Sequence, residues 1–377
     1  MLSRLAVLAL SVTLLASVTG TYGNDSSPTE LQPTVVFTSG AGGYHTYRIP
    51  SLLRTRQGTL LAFCEARKNS RDDHGDVDLV LRRSTDDGKT WGPVQLVCEE
   101  GGNARITIGN PCPVVDHSTG RIWLPLTRNN DRVWMLHSDD DGQTWSKPDD
   151  ITSSVKLPDW TWYATGPGVG VQLKHGEHAG RLIIPCDHRA KADSKTSYSH
   201  VFYSDDHGAT WRLGGSTEKY MNECQLAELS DGTLLLNIRN HWRREAKVAE
   251  KGGKRALSRS QDGGETWSEV TFDETLIEPV CQASLIRLEH GSASGDVLAF
   301  SNPASTRTRE KLTLRLSTDG GRTWPISHLI HAGPASYSCL AELPSGEVAC
   351  LYECGQKQNY ETIAFVRMSR ARLQARK

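Results

Sequence analysis

Four arginines, three acids and one tyrosine stand near the ends of strand-like runs in this sequence: Arg48, Arg67, Asp73, Glu223, Arg239, Arg309, Tyr337 and Glu353. Planar guanidinium groups take carboxylates through paired charge-assisted bonds, so several on one rim would make a pocket for an anionic ligand. Taken singly, each residue has a plainer reading. A lone surface arginine is usually solvated, Tyr337 could be a packed aromatic, Asp73 a loop-capping acid and Glu223 an edge charge. Convergence on one rim is what would lift them above those readings, and convergence depends on the fold.

The fold is announced by a repeat. Five octapeptides fit Ser-x-Asp-x-Gly-x-Thr-Trp: STDDGKTW (84–91), SDDDGQTW (138–145), SDDHGATW (204–211), SQDGGETW (260–267) and STDGGRTW (317–324). Their tryptophans are 54, 66, 56 and 57 residues apart, a period that means a solenoid or a propeller. Each octapeptide follows an alternating apolar run such as DLVLRRS or SHVFYS. Each of those follows a glycine-opened run: GTLLAFCE, GRIWLPLT, GRLIIPCD, GTLLLNIR and GDVLAFSN. A sixth pair, GEVACLYE and TIAFVRMS, has no octapeptide after it. Six antiparallel units with almost no helical periodicity read as an all-β, six-bladed β-propeller. In each octapeptide Asp-x-Gly supplies a tight turn with positive φ at Gly, and the Trp packs between blades.

Topology then brings the polar residues together. With strands numbered 1 to 4 outward in each blade, the octapeptides are 3→4 turns on one face. Entries to strand 1 and the 2→3 loops lie on the other. Arg48, Glu223 and Tyr337 stand at strand-1 entries. Arg67, Asp73, Arg239, Arg309 and Glu353 stand at strand-2 ends or in 2→3 loops. All eight therefore ring one mouth of the propeller axis, and loops over a rigid scaffold are where sites are built.

Composition narrows the class. At 377 residues, 23% charged and 37% hydrophobic, with formal net charge −1, the chain reads as soluble and globular and not as nucleic-acid binding. Arg4, the apolar run Leu5–Val18 and Gly20 read as a signal peptide over 1–20, followed by a flexible lead-in over 21–34 and the propeller over 35–377. The expected location is secreted or periplasmic, or lysosomal in a eukaryote, with no membrane span. The nine cysteines are odd in number and loosely spaced. Cys64, Cys186 and Cys350 sit in apolar runs and read as buried thiols; Cys350 and Cys354 could instead pair or bind metal. No other metal-ligand motif appears, and the acids of Ser138–Gly142 lack the remaining ligands of an EF-hand.

With the repeat and rim in hand, the chain resembles the exo-sialidases of glycoside hydrolase family 33 from about residue 35 to 370. The marks are Tyr-Arg-Ile-Pro (47–50), the five Asp boxes, EAR…DHGD, NECQ…NIRN and SYSCL. The resemblance implies removal of terminal α-linked sialic acid from sialylated glycans, without a cofactor or metal. It implies that Arg48, Arg239 and Arg309 hold the substrate carboxylate and that Glu353 steadies Arg48. It places the nucleophile on Tyr337, its acid partner on Glu223 and the acid/base on Asp73, with Arg67 near the sugar's 4-position. Asp72 is the alternative to Asp73, and Arg307 to Arg309. A neutral tyrosine suits a carbon that already carries a carboxylate, which would repel an Asp or Glu nucleophile; a tyrosine nucleophile is a documented sialidase exception to the two-carboxylate scheme. Two rival functions remain. One is a non-catalytic sialoglycan-binding propeller. The other is a trans-sialidase, for which Trp160, Trp162 and Tyr163 are candidate acceptor-site aromatics.

Overall fold

The computed structural model describes residues 31–290 and 295–374. The expected signal peptide and most of the lead-in lie outside these residues. β1 (Thr34–Thr38) begins at the last residue of the expected lead-in. The fold is all-β and propeller-like. β2 (Thr46–Arg54), β3 (Leu60–Arg67), β4 (Val77–Ser84) and β5 (Gln95–Cys98) form one antiparallel sheet. In the next, β6 (Ile108–Gly109) and β7 (Val114–Val115) both pair with β8 (Ile122–Arg128), followed by β9 (Arg132–Ser138) and β10 (Asp149–Asp150). A third holds β11 (Trp160–Thr165) and β12 (Val171–Gln172) against β13 (Leu182–Ala190), then β14 (Asp193–Ser204) and β15 (Arg212–Lys219). The fourth is β16 (Met221–Glu228), β17 (Leu234–Asn240), β18 (Lys254–Ser260) and β19 (Thr271–Ile277).

The remaining strands make one seven-stranded sheet where the repeat led us to expect two blades. Its order is β20 (Ser284–Leu288), β21 (Val297–Pro303), β22 (Glu310–Ser317), β23 (Ile326–Glu342), β24 (Val348–Cys354), β25 (Thr362–Met368) and β1. Five hydrogen-bonded sheets therefore replace the six separate ones expected. The reason is β23, which at 17 residues is about three times the usual strand length. Its first half, Ile326–Pro334, pairs with β22, and its second half, Ala335–Glu342, pairs with β24.

The core lies between sheets. Leu61, Phe63, Leu79 and Leu81 of the first sheet pack on Ile122, Leu124, Leu126 and Leu136 of the second. Leu60, Ala62, Cys64 and Val80 pack on Leu351, Ile363 and Phe365, so the last strands meet the first sheet and the ring closes. β1 completes that closure from the other end of the chain, pairing Thr34 with Phe365. The octapeptides are 3→4 turns as expected. In the first, Ser84 Oγ donates to Asp86 Oδ1 (2.8 Å) and accepts from Gly88 N (2.9 Å), while Thr90 Oγ1 donates to Asp86 Oδ2 (2.6 Å). Gly88 has φ +78° and faces Phe365 so closely that a Cβ would sit 2.2 Å from the ring, which no other residue allows. Trp91, in the β4–β5 turn, meets the same ring edge-on at 5.3 Å, joining the first sheet to β25 (Thr362–Met368). All nine cysteines are unpaired and buried, Cys350 and Cys354 among them. No helix among the described residues is long and apolar enough to cross a membrane.

Candidate active site

Three strands deliver the centre of the site, and each is irregular where it does so. The β2–β3 register slips between Arg48 and Ser51, that of β16–β17 between Met221 and Cys224, and that of β23–β24 between Ala335 and Ser338. Arg48, Glu223 and Tyr337 stand in or beside these three bulges. A bulge re-aims a side chain, and here it turns three polar ones out of the regular alternation. At the first, Ile49 has φ +60°, a conformation β-branched residues rarely adopt. Its N–H donates to Glu353 Oε1 at 2.9 Å, so a tertiary contact holds the strained turn.

Glu353, on β24 and fully buried, is the hub of this side. It accepts from Arg48 Nε (3.1 Å) and Nη2 (3.4 Å), from Ile49 N, and from Tyr337 N (3.1 Å). On the other side Tyr337 Oη donates to Glu223 Oε1 at 2.5 Å, and Arg239 Nη1, at the end of β17, donates to Glu223 Oε2 (2.5 Å) and Tyr337 Oη (3.0 Å). Arg48 and Arg309 lie over the Tyr337 ring with guanidinium carbons 5.1 and 5.6 Å from its centroid. Arg309, in the β21–β22 loop, donates to Ser336 Oγ (3.2 Å) and Val280 O (3.2 Å). Arg307 is exposed two residues earlier.

The β3–β4 loop brings Asp73 over this group. Its Oδ1 accepts from Arg48 Nη1 (3.2 Å) and Arg67 Nη1 (3.0 Å), although its side chain remains 69% exposed. Asp72 also is exposed; its backbone N–H donates to Ser70 Oγ at 3.1 Å. All eight residues are thus brought to one rim, with Asp73 and Arg309 turned toward the others.

Charge shapes the group. Burial, then the Glu223 charge, pushes the Tyr337 hydroxyl well above its ordinary value, and three arginines pull against them without prevailing. Burial also opposes ionisation of Glu223. Arg239, the Tyr337 hydroxyl and Arg309 outweigh it and hold the carboxyl below its ordinary value. Asp73 behaves alike: desolvation raises it, and Arg48 with Arg67 more than offsets this. A neutral hydroxyl bonded to an ionised carboxylate, under three guanidinium groups, can lose its proton to that carboxylate as the oxygen attacks.

The BNR repeat-like domain family matches residues 58–350. Sialidase-3 of Homo sapiens is 33% identical over 383 residues, covering 85% of this chain and 88% of the relative. The chain belongs to the sialidase family. The sialidase of Micromonospora viridifaciens is 36% identical over 345 residues, covering 85% of this chain and 52% of that protein. The sialidase of Bacteroides fragilis is 34% identical, covering 81% and 60%. This sialidase-family chain therefore spans about half the length of these two bacterial relatives. Among solved structures, Hadza microbial sialidase Hz136 superposes with a TM-score of 0.80 at 31% identity, covering 91% of this chain and 69% of the other.

Several further residues of this pocket were not among the site residues expected from the sequence. Glu65, in the EAR run, is buried and accepts from Arg67 Nε (3.0 Å) and Nη2 (2.6 Å) through Oε2. Gly109 leaves room for it, since a Cβ there would lie 2.2 Å from Glu65 Oε1. Asp187 is buried beside the site, accepts from Asn222 Nδ2 (2.8 Å), and is pushed well up by burial and then by the Glu223 charge. Tyr360 touches two of the arginines. Of the three candidate acceptor aromatics, Trp160 and Tyr163 are buried, Trp160 stacked on His188 at 3.4 Å. Trp162 is half-buried, edge-on to His74 at 5.7 Å, next to the Asp73 loop.

Proposed function

We propose that the chain is a retaining exo-α-sialidase of glycoside hydrolase family 33, acting on terminal sialic acid of glycans. We count its propeller as six blades, β23 serving as the fourth strand of one and the first of the next. The observation that carries the functional reading is the Tyr337–Glu223–Arg239 arrangement, with the phenol oxygen 2.5 Å from a carboxylate held ionised.

In this reading Arg48, Arg239 and Arg309 take the substrate carboxylate, and Arg67 lies toward the 4-position of the sugar. The Tyr337 oxygen bonds to the anomeric carbon while the glycosidic C–O bond breaks. The phenol proton passes to Glu223. Asp73, which takes up a proton from solvent as the substrate carboxylate draws Arg48 away from it, gives that proton to the leaving oxygen. Water then attacks the same carbon, losing a proton to Asp73, and the tyrosyl C–O bond breaks as Glu223 returns its proton to Tyr337. Two displacements give net retention, and both acids end as they began. Glu353 holds Arg48 throughout.

The test is release of a fluorogenic phenol from its α-sialoside, with the first-formed anomer read by NMR. The α-anomer is expected. Binding without release would indicate a sialoglycan-binding propeller, and transfer to added lactose a trans-sialidase.

Asp73 can be tested separately. A general acid contributes roughly 10²–10⁴-fold, and it matters most for a leaving group of high pKa. Asp73→Ala is therefore expected to lose about that factor in kcat/KM on sialyl-lactose and far less on the α-sialoside of an acidic phenol. Asp72→Ala should treat both substrates alike. Selective loss in Asp72→Ala instead would move the acid by one residue.

A further inference from the structure

Three guanidinium groups that converge on one site repel one another, and neighbouring groups must hold them in place. Arg239 has Glu223, and Arg48 has Glu353 and Asp73. Arg309 forms no ion pair with any described residue; its bonds go to neutral oxygens. One of these is the phenol of Tyr360, which accepts from Arg309 Nη1 at 3.1 Å. The same ring lies under Arg48, with the guanidinium carbon 4.2 Å from its centroid, closer than Arg48 comes to Tyr337. One side chain from the β24–β25 loop thus touches arginines carried by β2 and by the β21–β22 loop.

We infer that Tyr360 is a positioning residue of the carboxylate clamp, setting the separation of Arg48 and Arg309 in the substrate-free protein. The inference rests on the clamp reading above. The loop is built to hold the ring still. The Glu361 carboxylate accepts from Gln356 N (2.9 Å), Lys357 N (2.9 Å) and Gln358 N (3.0 Å). Ser39 Oγ donates to the Tyr360 carbonyl at 2.7 Å. Asn359 Nδ2 donates to the carbonyls of Arg309 (2.5 Å) and Ala335 (3.0 Å), so the loop grips the backbone of Arg309 as well as its side chain. Tyr360 is half-buried and belongs to none of the apolar clusters, which argues against a packing role alone. A face-on ring attracts a guanidinium, and a phenol oxygen offers it an acceptor without the full charge that would compete with the ligand. Pre-set groups bind with less ordering cost.

The experiment compares wild type, Tyr360→Phe and Tyr360→Leu in binding the planar dehydrated sialic acid analogue and its C1 carboxamide, together with KM and kcat. Phe keeps the ring under Arg48 and deletes only the acceptor for Arg309. Loss of one bond to a charged group corresponds to about 10-fold, so Tyr360→Phe is expected to bind the acid about 10-fold more weakly, with KM raised to match and kcat nearly unchanged. Tyr360→Leu, which also loses the stack, should be weaker still, with Phe a partial rescue. The carboxamide should bind all three proteins alike. Unchanged acid binding in Tyr360→Phe, or equal losses for acid and carboxamide, would overturn the inference. If wild type itself showed no preference for acid over carboxamide, the clamp would be wrong, and this inference would fall with it by a separate measurement.

Discussion

Tyr337→Phe is expected to lower kcat by at least about 10³-fold while leaving the planar dehydrated sialic acid analogue bound. Removing a nucleophile that acts as a unit with its base is among the largest single losses in enzymes. The substitution is also mild structurally, so the effect would be chemical. The ring that carries Arg48 and Arg309 on its face remains, and so does the backbone N–H that Glu353 accepts. Glu223 loses the hydroxyl but keeps Arg239 at 2.5 Å, so its charge is not stranded. The measurement is kcat by phenol release beside the dissociation constant of the analogue by calorimetry. Wild-type turnover in Tyr337→Phe, with loss in Glu223→Ala, would break the pairing. Loss of analogue binding together with turnover would make Tyr337 a binding group and leave the nucleophile unassigned.

The parts of this protein legible in its sequence are those fixed by local chemistry. The octapeptide is such a part: Ser84, Asp86, Gly88 and Thr90 satisfy one another within seven residues, so the motif is also the structure. Because the turns alternate faces, the placement of Arg48, Arg239 and Arg309 on one rim follows from strand order alone. What escaped the sequence depends on contacts between distant segments. The pairing of β1 with β25, more than 300 residues away, has no local signal in either segment. β23 runs on through Gly333 and Pro334 because its two halves answer to different neighbours. Tyr360 matters through Arg48 and Arg309, which its own neighbours in sequence do not reveal. Ile49 argues locally against its own conformation, and only Glu353 makes positive φ tenable there.

That dependence makes Glu353 a residue whose loss should cost the fold heavily. Glu353→Ala is expected to destabilise the protein by about 3–5 kcal/mol, the range for removing one partner of a buried ion pair. Three separate debts follow from one truncation. Arg48, almost fully buried, keeps Asp73 as its one anionic partner among the described residues, on an exposed loop where solvent weakens the pair. The N–H groups of Ile49 and Tyr337 lose their acceptor, each a buried donor left unmet. The left-handed turn at Ile49 loses the contact that holds it, and relaxing it would swing Arg48 out of line. Activity should fall with stability for that reason, since Arg48 and Tyr337 are fixed by the same carboxylate. Glu353→Gln separates the two effects. With its amide oxygen still accepting from Ile49 N and Arg48 Nε, its NH₂ faces both Arg48 Nη2 and the Tyr337 N–H, donor against donor, so stability should recover in part and the carboxylate clamp should not. Urea midpoints for the three proteins, with kcat/KM measured well below the transition, decide the matter. A loss under about 1 kcal/mol in Glu353→Ala would mean that the two bulges hold themselves, and that Glu353 is a neighbour of the site rather than its support.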